Sequence, residues 1–219
     1  MAPHIAPSIL AADFYDLRRQ VEAVISSGAD VLHIDVMDGR FVNNISVGLP
    51  VVASLRNRGA ALDVHLMIEE PGRYAERFAG SGADWLTVHL EAVPPDELPG
   101  LLKHIESLGC VPGLAVRPDT PVEAVEPYLP LCGQLLIMTV PPGFGGQGYG
   151  KDGNARIKRA RALIERKNPP CLLAADGGLD SHTAPGAVAA GLERIVAGTA
   201  VFGAPDAGLA FRELDSALK

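Results

Sequence analysis

Short apolar runs rich in β-branched residues alternate along the chain with longer segments in which apolar residues recur every three or four positions. The short runs are typical of buried β-strands, and the longer pattern is typical of amphipathic helices. The pattern predicts eight strands, at His4–Ile9, Val31–Val36, Ala61–Leu66, Trp85–His89, Val111–Val116, Gln134–Thr139, Cys171–Ala175 and Arg194–Ala197. It predicts helical segments between them, at Phe14–Ser27, Pro71–Ser81, Leu98–Leu108, Pro121–Leu129, Asn154–Lys167 and Thr183–Ala190.

Local signals at the ends of the helical segments support this assignment of strands and helices. Asp13 precedes the first segment and is predicted as its N-cap. The sequence Ser-Gly-Ala-Asp precedes two strands, at residues 27–30 and 81–84, and Gly-Leu-Glu-Arg at 191–194 precedes the last strand. Each is typical of a helix that ends on glycine and then turns into a strand.

The alternation of strands and helices predicts parallel βαβ units. Eight such units indicate an α/β fold of the TIM (β/α)8 barrel type. We predict a single domain over residues 1–219, because such barrels run to about 200–250 residues. A doubly wound open sheet is the alternative, since periodicity alone does not show that a sheet closes.

Charge and cysteine content narrow the classes of partner and compartment. The formal net charge is −7, which argues against nucleic acid or an anionic membrane as a partner, because such partners need a basic face. No apolar run approaches the about 18 residues of a spanning helix, and the start of the chain lacks a signal-peptide pattern. Cys110, Cys132 and Cys171 are odd in number and widely spaced, as is typical of reduced thiols in a cytoplasmic protein.

Polar residues inside apolar strands are the first candidates for chemistry. His33 and Asp35 share one face of the second strand. Asp63 and His65 repeat this arrangement in the third strand, and Asp176 follows the seventh. In a barrel the carboxyl ends of the strands meet at one mouth, where barrel enzymes hold their sites.

Each of these residues alone also fits an ordinary hydrogen-bonded core position or a helix cap. Their combination is harder to explain in that way, because an unpaired buried aspartate is strongly disfavoured by desolvation. We therefore predict a site for one divalent metal ion (Zn, Fe, Mn or Co), with Asp63 as a residue that orients a ligand. The predicted ligands are His33, Asp35, His65 and Asp176.

Methionine and glycine residues flank the same strand ends. Three methionines, Met37, Met67 and Met138, predict an apolar cap that limits water, although ordinary core packing is the alternative. Glycine-rich loops follow the last three strands, and glycine lets backbone N–H groups approach a phosphate closely. These loops predict a phosphate cradle without the Walker or GxGxxG pattern of nucleotide binding. They contain Gly143, Phe144, Gly145 and Gly146, then Gly177 and Gly178, then Gly198 and Thr199.

Five motifs occur in order along the chain: Ala6–Phe14, His33–Gly39, Asp63–Met67, Met138–Val140 with Pro142–Gln147, and Asp176–Gly178. Together they resemble the ribulose-phosphate 3-epimerase family, and the resemblance runs from Ile5 to Asp206. It implies a TIM barrel that interconverts D-ribulose 5-phosphate and D-xylulose 5-phosphate in the pentose phosphate pathway. It also implies a homo-oligomer, either a dimer or a hexamer.

The same resemblance implies roles for the candidate residues. Asp35 and Asp176 would act as the two acid/base groups on opposite faces of C3, and would also ligate the metal together with His33 and His65. Ser8 and His65 would contact the sugar. Backbone amides would hold the phosphate at Gly145, Gly146, Gly178 and Thr199, in turns shaped by Gly177 and Gly198.

Three alternatives to this activity are open to test. Residues Gly148–Gly153 are more polar and glycine-rich than the usual apolar lid of the family. This departure leaves the exact sugar open, and the first alternative is a sister epimerase for a hexulose phosphate such as D-allulose 6-phosphate. A phosphosugar-binding barrel without catalysis is a second alternative, but it has no need of both Asp35 and Asp176. A barrel decarboxylase or lyase is the third, and it is disfavoured because the predicted strands contain no lysine.

Overall fold

Eight strands alternate with helices, as predicted, in the computed structural model, which describes residues 3–219. The first strand is shorter than predicted, because Ser8 begins a short 3-10 helix and its side chain accepts the N–H of Leu10. Met1 and Ala2, the first residues of the predicted domain, lie outside the described residues. The strands are β1 (His4–Pro7), β2 (Val31–Met37), β3 (Ala61–Met67), β4 (Trp85–His89), β5 (Val111–Val116), β6 (Gln134–Met138), β7 (Leu172–Asp176) and β8 (Arg194–Ala197).

The strands run parallel and hydrogen-bond in the order β1-β8-β7-β6-β5-β4-β3-β2. The first and last strands pair in register, with His4 opposite Arg194. Within residues 3–219, an isolated bridge between Ser8 and His33 links β1 to β2. The sheet therefore forms the predicted barrel rather than the open alternative.

Eight α-helices surround the barrel in residues 3–219, and none has the length and apolarity of a membrane span. Their apolar faces pack on the outer faces of the strands to form the main core, which includes Leu102 and Ile164. A smaller apolar cluster, with Ala6, Leu136 and Val196, lies inside the barrel, beside buried polar residues such as Asp63 and Gln134. The helices are α1 (Leu17–Ser26), α2 (Leu49–Leu55), α3 (Ala75–Ser81), α4 (Leu98–Ser107), α5 (Gly153–Lys167), α6 (Ala184–Ala189), α7 (Thr199–Phe202) and α8 (Ala207–Ala217).

The first helix begins later than predicted, and the prediction of Asp13 as its N-cap is wrong. The Asp13 carboxylate instead accepts the N–H of Tyr15 at 2.9 Å, which closes a turn before the helix. The helix begins at Leu17, with Asp16 in the N-cap position. The short polar side chain of Asp13 therefore stabilises the approach to the helix rather than its first turn.

The segment Pro121–Leu129 is not the predicted α-helix. It contains a 3-10 helix over Val122–Val125, and a second one follows at Leu129–Leu131. Pro127 interrupts this segment and Pro130 follows it, and both lack the N–H group that a continuous helix requires. The glycine turns at residues 27–30, 81–84 and 191–194, which precede three of the strands, are as predicted.

Candidate functional site

Strands β2, β3 and β7 bring four side chains with ligand or acid/base chemistry together at the carboxyl end of the barrel. Asp35 lies opposite His65 in the register of β2 and β3, and Asp176 ends β7. His33, Asp35, His65 and Asp176 each offer one ligand atom, and these atoms lie within 4.8 Å of one another. The structure thus joins the four residues that the strand pattern singles out.

His33 is oriented by Asp63. The ring Nδ1 lies 3.2 Å from Asp63 Oδ2. The same carboxylate accepts the Gln134 side-chain amide and lies 3.6 Å from the Arg194 guanidinium. The other ring nitrogen of His33, Nε2, is buried without a hydrogen-bond partner and lies 3.2 Å from Asp35 Oδ1. An acceptor at Nδ1 therefore fixes the ring so that the Nε2 lone pair faces the cluster.

His65 links Asp35 to a second histidine that the strand pattern did not single out. His65 Nδ1 lies 3.1 Å from Asp35 Oδ1, and its Nε2 lies 2.9 Å from Nε2 of His89. His89 Nδ1 in turn lies 3.2 Å from Glu91 Oε2. His89 and Glu91 have the same spacing of two residues as His33 and Asp35, but Glu91 lies beyond the end of β4 in a 3-10 helix, so this spacing did not predict a shared face.

The two carboxylates of the cluster have opposed electrostatic environments. Burial favours the neutral form of Asp35, but the neighbouring His33 and His65 outweigh it and hold the Asp35 pKa far below its usual range. Burial, and then the charge of Asp35, raise the pKa of Asp176 to about 6. One carboxylate is thus ionised while the other can hold a proton near neutral pH, which suits acid/base chemistry.

The donor set fits a divalent metal ion. Two imidazoles and two carboxylates are ligands that Zn, Fe, Mn and Co ions accept. His33 Nε2 is buried without a partner, whereas nearly all buried polar atoms in proteins have one. The four residues could therefore hold an ion, and their mixed nitrogen and oxygen atoms do not select one metal.

A cavity of about 360 Å³ lies against this cluster. Ser8 and Asp35 both line it, and the Ser8 hydroxyl donates to Asp35 Oδ2 at 2.6 Å. His33 and His65 are completely buried. The three methionines predicted to form an apolar cap also line the cavity: Met37, Met67 and Met138.

The three glycine loops line the same cavity. Gly177 and Gly178 have φ values of +118° and +63°, and a Cβ atom on Gly178 would collide with the backbone of Tyr149. Glycine therefore lets the loop after β7 lie directly against the loop after β6. The lining includes all the predicted loop residues: Gly143, Phe144, Gly145, Gly146, Gly177, Gly178, Gly198 and Thr199.

Other polar residues of these loops also line the cavity and were not predicted. They include Tyr149 and Thr183. The Tyr149 hydroxyl donates to Asn154 Oδ1 at 2.7 Å, and the Thr183 hydroxyl donates to the Gly178 carbonyl at 2.9 Å. Both residues lie in loops, where strand alternation does not fix the direction of a side chain, so no periodic signal could have identified them.

Known proteins of similar sequence share one description. Residues 4–202 match the model of the Ribulose-phosphate 3 epimerase family. The ribulose-phosphate 3-epimerase of Rhodobacter capsulatus is 45% identical over 199 residues, which cover 90% of this chain and 85% of the relative. The proteins of that name from Bacillus subtilis and Aquifex aeolicus are 43% and 38% identical, with 96% and 97% of this chain and 97% and 95% of the relatives covered.

Solved structures share the fold at much lower sequence identity. KGPDC from Streptococcus mutans has a TM-score of 0.74 at 17% identity, with 100% of this chain and 98% of that chain covered. A 3-hexulose-6-phosphate synthase has a TM-score of 0.71 at 19% identity, with 99% of both chains covered. These similarities confirm the barrel fold.

Proposed function

Because the chain belongs to the ribulose-phosphate 3-epimerase family and is therefore an epimerase, we propose that it interconverts D-ribulose 5-phosphate and D-xylulose 5-phosphate. We propose that it uses a divalent metal ion and two carboxylates, and that it serves the pentose phosphate pathway. The observation that carries this mechanism is the pairing of Asp35 and Asp176. Their ligand atoms lie within 4.8 Å of each other, and their pKa values are displaced in opposite directions.

Inversion at C3 requires removal of a proton from one face and delivery of a proton to the other. One carboxylate takes the C3 proton, and the electron pair of the C–H bond moves toward the C2 carbonyl to give an enediolate. The other group, a protonated carboxylic acid, donates its proton to the opposite face of C3. The reverse reaction exchanges these roles, so both Asp35 and Asp176 must be able to bind and release a proton.

His33, Asp35, His65 and Asp176 would hold the metal ion, which when bound supplies Lewis-acid stabilisation of negative charge on the substrate oxygens. The Ser8 hydroxyl, which donates to Asp35 Oδ2 at 2.6 Å, orients that carboxylate toward the substrate. The methionine thioethers exclude water and offer no proton to the reacting carbon.

Phosphate binding would place C3 between the two carboxylates. Amides of the three glycine loops would bind the phosphate, and this remote binding energy would hold the reacting carbon in position. The residues proposed to donate these amides are Gly145, Gly146, Gly178 and Thr199, all of which line the cavity.

Compartment and assembly are further parts of the proposal. Cys110, Cys132 and Cys171 are free and buried, which supports a reducing compartment such as the cytoplasm. Assembly into a dimer or hexamer stays a prediction from the family. The absence of nucleic-acid and membrane partners stays a prediction from the net charge and composition.

Deuterium exchange followed by NMR tests the proposed activity. The metal-supplemented protein is incubated in D2O with D-ribulose 5-phosphate or, separately, with D-allulose 6-phosphate. We expect deuterium at C3 of the pentulose together with formation of D-xylulose 5-phosphate. Turnover of the hexulose alone would reassign the substrate to the sister epimerase class. A protein that contains metal but exchanges neither substrate would contradict the proposal.

A further inference from the structure

A row of buried polar side chains leads from the metal-ligand cluster to the rim of the barrel. His65 Nε2 lies 2.9 Å from His89 Nε2, and His89 Nδ1 lies 3.2 Å from Glu91 Oε2. Both histidines are completely buried. The proposed reaction gives no proton-transfer step to His89 or Glu91, so a different role must explain two buried polar groups beside a metal ligand.

Glu91 is held firmly at the outer end of this row. Its Oε1 accepts the backbone N–H of Arg117 at 2.9 Å and the hydroxyl of Thr120 at 2.6 Å. Burial would raise the pKa of Glu91, but its hydrogen bonds with His89, Thr120 and the Arg117 backbone lower it to about 2. Glu91 is therefore an ionised carboxylate that can only accept, and its Oε2 atom requires a donor.

Counting protons along the row leaves one arrangement. A completely buried imidazole is favoured in its neutral form, which carries one N–H. If His89 donates from Nδ1 to Glu91, its Nε2 carries a lone pair. His65 must then donate from its own Nε2, because two facing lone pairs cannot hydrogen-bond. The remaining lone pair of neutral His65 lies on Nδ1, which faces the cluster 3.1 Å from Asp35 Oδ1, so that a cation between these two acceptors would satisfy both.

We propose that His89 and Glu91 are positioning residues that fix His65 in the tautomer with its proton on Nε2 and thereby present its Nδ1 lone pair to the metal ion. This inference rests on the metal site of the proposed function. Asp63 performs the matching task for His33 by direct contact with Nδ1. The two imidazoles would therefore bind the ion through different nitrogens, Nε2 of His33 and Nδ1 of His65.

Two neighbours hold the outer end of the row and shield it. The Phe41 ring packs against His89, with 4.8 Å between ring centroids, and the Arg117 guanidinium lies over the same Phe41 ring, 4.1 Å from its centroid. Arg156 donates to the carbonyls of Arg117, Pro118 and Thr120 at 2.7, 3.0 and 3.0 Å. The loop that supplies the two donors to Glu91 is thus itself fixed in place.

Zinc affinity of the metal-free protein tests the proposal without any measurement of turnover. Dissociation constants for Zn²⁺ are measured by competition with a chromophoric chelator, and thermal melts of the metal-free proteins show which variants fold. His89→Phe keeps a ring but removes the acceptor, and we expect Zn²⁺ binding weaker by about 10–100-fold. His89→Gln keeps an acceptor facing His65 and should bind within a few-fold of the wild type. Glu91→Gln should weaken binding, whereas the exposed Glu76→Gln, a matched control, should not.

A second readout reports the tautomer itself. Nitrogen-15 NMR of the metal-free wild type should show the His89 proton on Nδ1, and Glu91→Gln should shift protons toward Nε2. A His89 proton on Nε2 in the wild type, or equal Zn²⁺ affinity of His89→Phe and His89→Gln, would overturn the proposal. A wild type that binds no Zn²⁺ at the cluster would instead overturn the proposed metal site, and the NMR result would still decide the tautomer.

Discussion

At the scale of single residues, neighbours rather than residue type set the proton affinity of the two catalytic candidates. Asp35 has two imidazoles beside it and a hydroxyl donor in Ser8. At Asp176, burial and then the like charge of Asp35 raise the pKa instead. The same functional group can therefore act as a base at one position and hold a proton at the other.

Removal of one carboxylate should uncouple exchange of the C3 proton with solvent from inversion of configuration at C3. In Asp176→Asn we expect epimerisation to fall by about 10²–10⁴-fold, while Asp35 still exchanges the C3 proton of one epimer with D2O. Asp35→Asn should show the opposite preference. NMR of each pure epimer in D2O measures both. Equal loss of exchange for both epimers in both variants would argue against a two-base route.

Glu91 should contribute to the pH dependence of stability. Its pKa falls from 4.5 to about 2 in the folded protein. A lowered folded-state pKa adds stability that is complete above the unfolded-state value and is lost as pH falls toward the folded-state value. The free energy of unfolding of the wild type relative to Glu91→Gln should therefore be greatest above pH 4.5 and shrink toward pH 2. Urea unfolding across this range measures the difference, and a constant difference would contradict the prediction.

The metal-ligand candidates found from the sequence were residues whose direction a strand fixes. Alternation in β2 and β3 places His33, Asp35 and His65 on the inner face, so their convergence could be predicted. His89 also ends a strand, but a single strand histidine is usually an ordinary core residue. Glu91 lies in the 3-10 helix Leu90–Ala92, where the two-residue period no longer applies.

At the scale of elements, strands were predicted better than helices because a barrel strand is a short, uninterrupted apolar run. Helix α2 was not predicted, since it is only seven residues long and follows Gly48, which has no side chain to cap it. Helix α8 was also missed, although Asp206 caps it by accepting the N–H of Leu209 at 2.9 Å. Leu209 is 46% exposed, which blurs the apolar face of that helix.

Arg156 connects helix α5 to the loop after β5. The several N–H donors of its planar guanidinium should contribute more to stability than its charge. In Arg156→Lys the charge remains, but the bonds to three carbonyls cannot all be kept. We expect a loss of about 1.5–3 kcal/mol in the free energy of unfolding, which corresponds to about 2–4 °C in Tm per kcal/mol. Calorimetry measures the shift. Arg159→Lys, on the exposed face of the same helix, is the matched control and should leave Tm unchanged.

At the scale of the whole molecule, the closed barrel could be inferred from the number of units but not from periodicity. Closure depends on the register between β1 and β8, and such long-range pairing leaves no local signal in the sequence. Inside the barrel the ligand cluster rests on a buried polar network, in which the Asp63 carboxylate accepts the Gln134 amide and lies 3.6 Å from the Arg194 guanidinium. Asp35 and Asp176 are two carboxylates whose ligand atoms lie within 4.8 Å of each other, and a bound cation would offset their repulsion.

Metal binding should therefore stabilise the entire chain. A ligand that binds only the folded state adds about 2.7 kcal/mol at a free concentration 100 times its Kd. Thermal melts with increasing Zn²⁺ should show this rise, and a chelator should reverse it. Asp176→Asn should weaken the response, whereas His104→Gln, which replaces an exposed histidine, should retain it. An unchanged response in Asp176→Asn would place the bound ion elsewhere.

The pairing of β1 with β8 also determines when the barrel can close during synthesis of the chain. While the chain leaves the ribosome, β2 to β7 can add to one another in sequence. The first strand, β1, has only the bridge from Ser8 to His33 in β2 until β8, its ladder partner, is translated almost at the end. Ser8 follows β1, and Gly198 and Thr199 follow β8, and all three line the cavity. A nascent or clipped chain without β8 therefore already carries every proposed metal ligand, yet it has no finished pocket in which a sugar phosphate could react.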